Sequence, residues 1–210
     1  MTEQGPAPAI RVAIVDDHPV VREGTAALLA TQVGLRIVGT AGSLEEAVPF
    51  LDPGSVDVVL LDIRLGSKSG LSLLGSNESR PAIVVLTAYD YPQYVAAALR
   101  MGASGFVVKT APVAELVDAI RRAAAGGLAF GVRPDASTGP LFTGRELEVV
   151  RLVVDGRSND EIGALLGIAS KTVEAHLRRI FERLGLQSRT ELATRALREG
   201  WLDIPASPSG

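Results

Sequence analysis

The 210-residue chain contains no cysteine, which excludes disulfides, thiolate catalysis and cysteine-based zinc sites and fits a reducing compartment. Aromatic residues make up 4 % of it, too few for the stacking platforms that bind single-stranded nucleic acid. The N-terminus shows no basic stretch followed by an apolar run, and no apolar run approaches the roughly 20 residues that cross a bilayer. A secretory signal and a membrane partner are therefore not expected, and a cytoplasmic location is. Bulk positive charge is also missing. Residues 1–126 carry 10 Lys/Arg against 13 Asp/Glu, and residues 141–210 carry 10 of each. Any affinity for nucleic acid must come from a local face. There are two histidines, His18 and His176, neither with a partner at metal-ligand spacing, so zinc is not expected. His18 is expected to cap a helix, His176 to make a structural hydrogen bond, and Trp201 to pack in a core.

What is present is order along the chain. Ile10–Val15, Leu35–Gly39, Val56–Leu61, Ala82–Leu86 and Gly105–Val108 read as five strands, three of them near-continuous apolar runs suited to a parallel sheet buried on both faces. Helix signals alternate with them. Pro19 suits the first turn of a helix running to about Ala30, and Pro112 opens one with an apolar stripe at Val113, Leu116, Val117, Ile120 and Ala124. Ser43–Glu46 and Asp90–Gln93 have capping-box spacing. This (βα)5 pattern predicts an α/β doubly wound, five-stranded parallel sheet over residues 9–126. Residues 127–140 are rich in glycine and proline and read as a flexible linker. Residues 141–203 read as a small all-α domain, with capping boxes at Thr143–Glu146, Ser158–Glu161 and Ser188–Glu191.

Ligands of a doubly wound sheet sit at the carboxyl ends of its strands. There the sequence places Asp16 and Asp17, Asp62, Thr87 and Lys109. Crowded carboxylates repel unless a cation joins them, and hard oxygen ligands point to Mg2+. A lysine and a hydroxyl beside them suit a phosphoryl group carried on one carboxylate. Taken singly, each aspartate is better explained as a helix cap or loop residue, and the threonine and lysine as structural or solvated. Their common position at strand ends carries the signal.

Val15-Asp16-Asp17-His18-Pro19, Leu61-Asp62-Ile63-Arg64, Leu86-Thr87-Ala88 and Gly105–Lys109 resemble the receiver domain of response regulators. The resemblance implies a flavodoxin-like fold in which Asp62 accepts phosphate from a histidine kinase. Asp16, Asp17, Asp62 and the backbone carbonyl of Arg64 would hold Mg2+, and Lys109 would contact the phosphoryl oxygens. Thr87 and Phe106 would form the switch, and Arg64 and Tyr89 occupy positions that influence hydrolysis. Such a receiver is not an enzyme in the usual sense, although it catalyses its own phosphotransfer and dephosphorylation. Two departures stand out. Gly66 replaces the usual proline four residues after Asp62, and the segment from Gly70 to Pro81 is about three residues short, predicting a stunted third helix and a mobile loop after Asp62.

In the C-terminal part, Ser158–Leu166, a Gly167-Ile168-Ala169 turn and Ser170–Leu184 have helix-turn-helix form. Val173, Leu177, Ile180 and Leu184 make an inner face, with Lys171, Glu174, Arg178 and Arg179 outward. From pattern alone, a small bundle with a mixed-charge surface fits equally well. Phe142–Val149, Gly156–Ile162, Ser170–His176 and Leu184-Gly185-Leu186 are similar to the LuxR-type DNA-binding domain, and the two domains in this order resemble NarL/FixJ-type regulators. That implies a DNA-reading face of Lys171, Thr172, Glu174, Ala175, Arg178 and Arg179, double-stranded DNA and a histidine kinase as partners, and a homodimer on activation. An Asp-nucleophile phosphohydrolase would want a second carboxylate where Arg64 stands. A constitutive DNA binder with a vestigial receiver remains open through the short 70–81 segment.

Overall fold

A computed structural model of the chain describes residues 8–75, 80–89, 91–130 and 141–204. The chain divides into two compact units, one built on a sheet and one helical.

In the first unit the strands are β1 (Ile10–Val15), β2 (Leu35–Ala41), β3 (Val58–Leu61), β4 (Arg64–Leu65), β5 (Lys68–Ser69), β6 (Ala82–Thr87), β7 (Gly105–Val108) and β8 (Ala129–Phe130). The main sheet runs β2-β1-β3-β6-β7-β8, with every pairing parallel. All four residues of β3, Val-Val-Leu-Leu, are buried, as a central strand covered on both faces requires. Helices α1 (Pro19–Ala30), α2 (Leu44–Ala47), α3 (Pro92–Arg100) and α4 (Val113–Ala124) make the crossovers. One core cluster joins Ile14, Leu60, Val84 and Val107 of the sheet to Leu29 of α1 and to Leu116, Val117 and Ile120 of α4. The stripe predicted for α4 holds, except that Ala123 takes the buried place expected for Ala124.

Three details differ from the sequence reading, and one expected irregularity is seen. A sixth strand, β8, lies where a flexible linker was expected, and its Ala129 N donates to the Ser104 carbonyl at 2.8 Å. Gly105 makes this possible, since a Cβ there would lie 2.9 Å from the Ala129 carbonyl oxygen. The segment after Asp62 is an antiparallel hairpin, β4 with β5, rather than a loose loop. Gly66 turns it with a φ of +62°, a conformation that proline cannot adopt. The stunted helix expected here is present as a single 3-10 turn, Gly70–Leu73; residues 76–79 lie outside the described residues. Helix α3 starts after Tyr91 without a side-chain cap, and Asp90, the expected cap, also lies outside the described residues.

The second unit packs α5 (Gly144–Val154), α6 (Asn159–Leu166), α7 (Ser170–Leu184) and α8 (Arg189–Arg198) around Val150, Ile162, Val173, Ile180, Leu192 and Trp201. The Trp201 ring meets Phe142 edge-on at 5.4 Å. The capping boxes of α5 and α6 are complete and reciprocal. At α8, Ser188 caps Glu191 N, but the Glu191 carboxylate accepts from Gln187 N instead of closing the box.

Glu146 does more than cap. Its buried carboxylate accepts two hydrogen bonds from Arg183 of α7, at 2.8 and 3.1 Å. Burial pushes this carboxyl up, but the Arg183 bonds and the Thr143 backbone outweigh burial and leave it below the usual carboxylate range. A depressed carboxyl stabilises the fold above its unfolded pKa and loses that stabilisation as pH falls through the folded value. Arg183→Met is therefore expected to cost about 1–2 kcal/mol at neutral pH, discounted because Arg183 is 44 % exposed. The same substitution should flatten the loss of stability below about pH 5, read by urea melts across pH. Parallel pH profiles for the two proteins would refute this.

Candidate functional site

The carboxyl edge of the sheet gathers the predicted residues. Val15 of β1 pairs with Leu61 of β3, so Asp16 and Asp62 leave adjacent strands side by side. Backbone bonds fix both: Asp16 N donates to the Ala41 carbonyl at 3.0 Å, and Asp62 N to the Val15 carbonyl at 2.9 Å. Lys109 follows β7, tied through its backbone N to the Thr87 carbonyl at 2.7 Å. Its ammonium lies 2.6 Å from Asp16 Oδ2 and 2.5 Å from Asp62 Oδ2. All three side chains are largely shielded from solvent, Asp16 at 4 % and Asp62 at 6 % exposure.

Electrostatics sharpen the picture. Burial pushes the Asp62 carboxyl above its ordinary range, Lys109 opposes the rise, and Asp16 adds to it. Burial works against the Lys109 ammonium too, yet the bonds and charges of Asp16 and Asp62 prevail and leave it above its usual value. One lysine thus stays protonated between two carboxylates and only partly offsets the cost of burying Asp62. A divalent cation would complete the neutralisation.

The donor set fits such an ion. Ligand atoms of Asp16, Asp17, His18 and Asp62 all lie within 4.8 Å of one another. Asp17 Oδ2 accepts from Gly66 N at 2.8 Å, whereas its buried Oδ1 has no hydrogen-bond partner among the described residues. Buried without a hydrogen bond among the described residues, and with the His18 ring close to it at 2.7 Å, this oxygen stands where a metal would satisfy it.

Thr87 is fully buried at the end of β6, and Phe106 is buried on β7 opposite Val85. Arg64 begins the hairpin, and its guanidinium lies 4.6 Å over the Tyr89 ring while Nη1 donates to the Tyr89 hydroxyl at 3.2 Å. The sequence marks Arg64 and Tyr89 separately, and their contact is new. So is the ring cluster of Tyr89, Tyr91 and Tyr94, whose only signal is their close spacing. Gly70 was also missed. A Cβ there would lie 2.0 Å from the Asp62 carbonyl oxygen, so the turn after the hairpin rests directly on the Asp62 backbone.

In the helical unit, Gly167 closes α6 in the left-handed conformation (φ +67°), and α7 begins three residues later. Val173, Leu177 and Ile180 are buried, while Lys171, Thr172, Glu174, Arg178 and Arg179 are exposed and Ala175 is half-buried. Arg178 Nε lies 3.9 Å from the Glu182 carboxylate, and with both side chains exposed the pair holds it weakly. Gly163 permits the tight turn, since a Cβ there would lie 2.7 Å from the Ile168 carbonyl oxygen. The expected hydrogen bond of His176 is not seen at Nδ1, which is buried without a partner among the described residues.

Residues 12–121 match the response regulator receiver domain, and residues 140–196 match the luxR family of bacterial regulatory proteins. The chain is a response regulator. Among its relatives, the transcriptional regulatory protein UhpA of Salmonella typhimurium is 37 % identical over 91 % of this chain and 100 % of its own length. LiaR of Bacillus subtilis, also a transcriptional regulatory protein, is 34 % identical over 90 % of this chain and 97 % of its own. The crystal structure of ChrA, a response regulator of a heme-sensing two-component system, covers 93 % of this chain and 100 % of its own at 29 % identity and a TM-score of 0.51. This response regulator therefore joins a receiver to a LuxR-type DNA-binding domain, as its transcription-regulating relatives do. Among the described residues no helix is long and apolar enough to cross a membrane.

Proposed function

We propose that this response regulator is switched by phosphorylation of Asp62 and reads double-stranded DNA with α7. Residues 9–126 together with β8 form the receiver, 141–203 the DNA-binding domain, and the rest of 127–140 the connection between them. The observation that carries this reading is the Lys109 ammonium held between Asp16 and Asp62 at the carboxyl edge of the sheet.

In the transfer, a carboxylate oxygen of Asp62 attacks the phosphorus of a phosphohistidine on the cognate kinase. The P–N bond breaks, and the imidazole leaves with the electron pair and takes a proton from solvent. Bound Mg2+, held by Asp16, Asp17, Asp62 and the Arg64 carbonyl, would neutralise charge on the phosphoryl oxygens. Lys109 supplies a second fixed positive charge at the same point. Thr87 offers its hydroxyl to a phosphoryl oxygen, and Phe106 follows as the strand end readjusts. The Arg64–Tyr89 contact beside Asp62 sets how water reaches the acyl phosphate.

The switched receiver then favours a homodimer, in which two weak DNA-binding domains gain effective concentration on one site. Lys171, Arg178 and Arg179 meet phosphates and base edges, Thr172 and Ala175 allow close approach, and Glu174 accepts from cytosine N4. A cytoplasmic location suits all of these partners.

Intact-protein mass tests the first step, with Mg2+ and either a small acyl phosphate or the cognate kinase. Wild type should gain one phosphoryl group, and Asp62→Asn none. An adduct that survives Asp62→Asn, or none from either donor, overturns the assignment.

A further inference from the structure

His18 was expected to cap α1, and it stands at the N-cap position, but its side chain makes no capping hydrogen bond. The ring turns to the acidic pair instead. Its Nδ1 lies 2.7 Å from Asp17 Oδ1 and 3.6 Å from Asp16 Oδ1. Despite that closeness, Asp17 Oδ1 accepts no hydrogen bond, so the ring N–H direction and the oxygen are not aligned. With the ring neutral, Nδ1 and Asp17 Oδ1 stand side by side at about the spacing of adjacent ligands on one ion.

The backbone holds the ring there. His18 N donates to Asp16 Oδ1 at 2.8 Å, which closes a local turn, and Pro19 starts the helix immediately after it. Around an ion with bonds of about 2.1 Å, adjacent ligands lie about 3.0 Å apart and opposite ones about 4.2 Å. The 2.7 Å pair fits adjacent places on one ion, and the 4.8 Å limit on the whole set exceeds the span of about 4.2 Å by about 0.6 Å, so side-chain shifts of a few tenths of an ångström would close the set around it. With 67 % of its side chain exposed, His18 stands at the mouth of the site rather than inside the core, so it is free to exchange solvent for a metal.

We propose that His18 is a nitrogen ligand of the carboxylate site and gives it a preference for borderline divalent transition ions. This rests on the reading of Asp16, Asp17 and Asp62 as a metal site. Mg2+ is hard, keeps its waters and gains little from an imidazole. Ni2+, Co2+ and Zn2+ take imidazole readily, so a neighbouring nitrogen donor raises their affinity selectively. The receiver then responds to the identity of the available divalent ion as well as to its presence. Asp16 and Asp62 supply charge common to every such ion, and His18 supplies the discrimination.

Calorimetric titration of the full chain with Mg2+ and separately with Ni2+ tests this, comparing wild type with His18→Ala. The substitution should weaken Ni2+ by at least about tenfold and move Mg2+ by less than about twofold. Shift of the His18 ring nitrogen resonances on adding Ni2+'s diamagnetic counterpart Zn2+ gives a second readout. Ni2+ affinity unchanged by His18→Ala, or Ni2+ and Mg2+ weakened equally, overturns the role of His18 while leaving the carboxylate site standing. No binding of Mg2+ to wild type would remove the carboxylate site itself, and the inference with it.

Discussion

Lys109→Met is expected to lower the stability of the receiver by about 2–4 kcal/mol in EDTA, because it leaves Asp16 and Asp62 facing each other in a buried site with no cation. Lys109 is 16 % exposed, so solvent relieves only part of that repulsion. For a domain of this size the loss corresponds to roughly 10 °C in melting temperature. Millimolar Mg2+ should restore much of it by mass action, at about 2.7 kcal/mol for each hundredfold excess over Kd. In wild type the same addition should matter less, since the ammonium already occupies part of the charge space. The adduct rate with a small phosphodonor should fall about 10²- to 10³-fold, the usual scale for losing one fixed charge at a developing anion. Equal melting with and without Mg2+, together with an unchanged adduct rate, would show that the ammonium bridge contributes neither stability nor chemistry.

Arg178→Ala is expected to weaken binding to an operator about 10- to 100-fold while leaving the phosphoryl adduct untouched. Arg178 stands exposed on the outward side of α7, while Leu177 beside it is buried, so the loss does not disturb packing. Its weak pairing with Glu182 means that little must be broken before it meets DNA. Binding titrations at several salt concentrations separate two roles. A contact to phosphate lowers the salt slope by about one, whereas a contact to a guanine edge relaxes preference at one base pair and spares the slope. Normal affinity in the variant would remove α7's outward face from the reading of DNA.

The parts of this molecule that were legible in the sequence share a cause. Asp16, Asp62, Thr87 and Lys109 are each the residue at which an apolar run ends, and a parallel sheet brings such ends together whatever the loops do. The helix-turn-helix was legible because Val173, Leu177 and Ile180 keep helical spacing and Gly167 marks the turn. What escaped depends on partners far along the chain or on runs too short to show a period. The Glu146–Arg183 pair spans 37 positions, and Glu146 looked like a capping residue only. Ala129–Phe130 is a strand of two residues, which has no pattern of its own and forms because Gly105 lets it approach. The hairpin after Asp62 read as mobility because a glycine replaces a proline, yet that glycine is what turns the chain back. His18 sat in a motif with an expected capping role, and only the side-chain direction shows that it faces Asp17.

The sixth strand also bears on where this chain can be cut. A fragment ending with α4 would strip Ala129 from Ser104 and leave the outer side of β7, which carries Gly105 and Phe106, with open backbone donors and acceptors. An unpaired, apolar edge of that kind recruits strands from other molecules. With β8 in place the outer side of Gly105 and Phe106 is paired, and the sheet ends in a strand of two residues, too brief to serve as such a template.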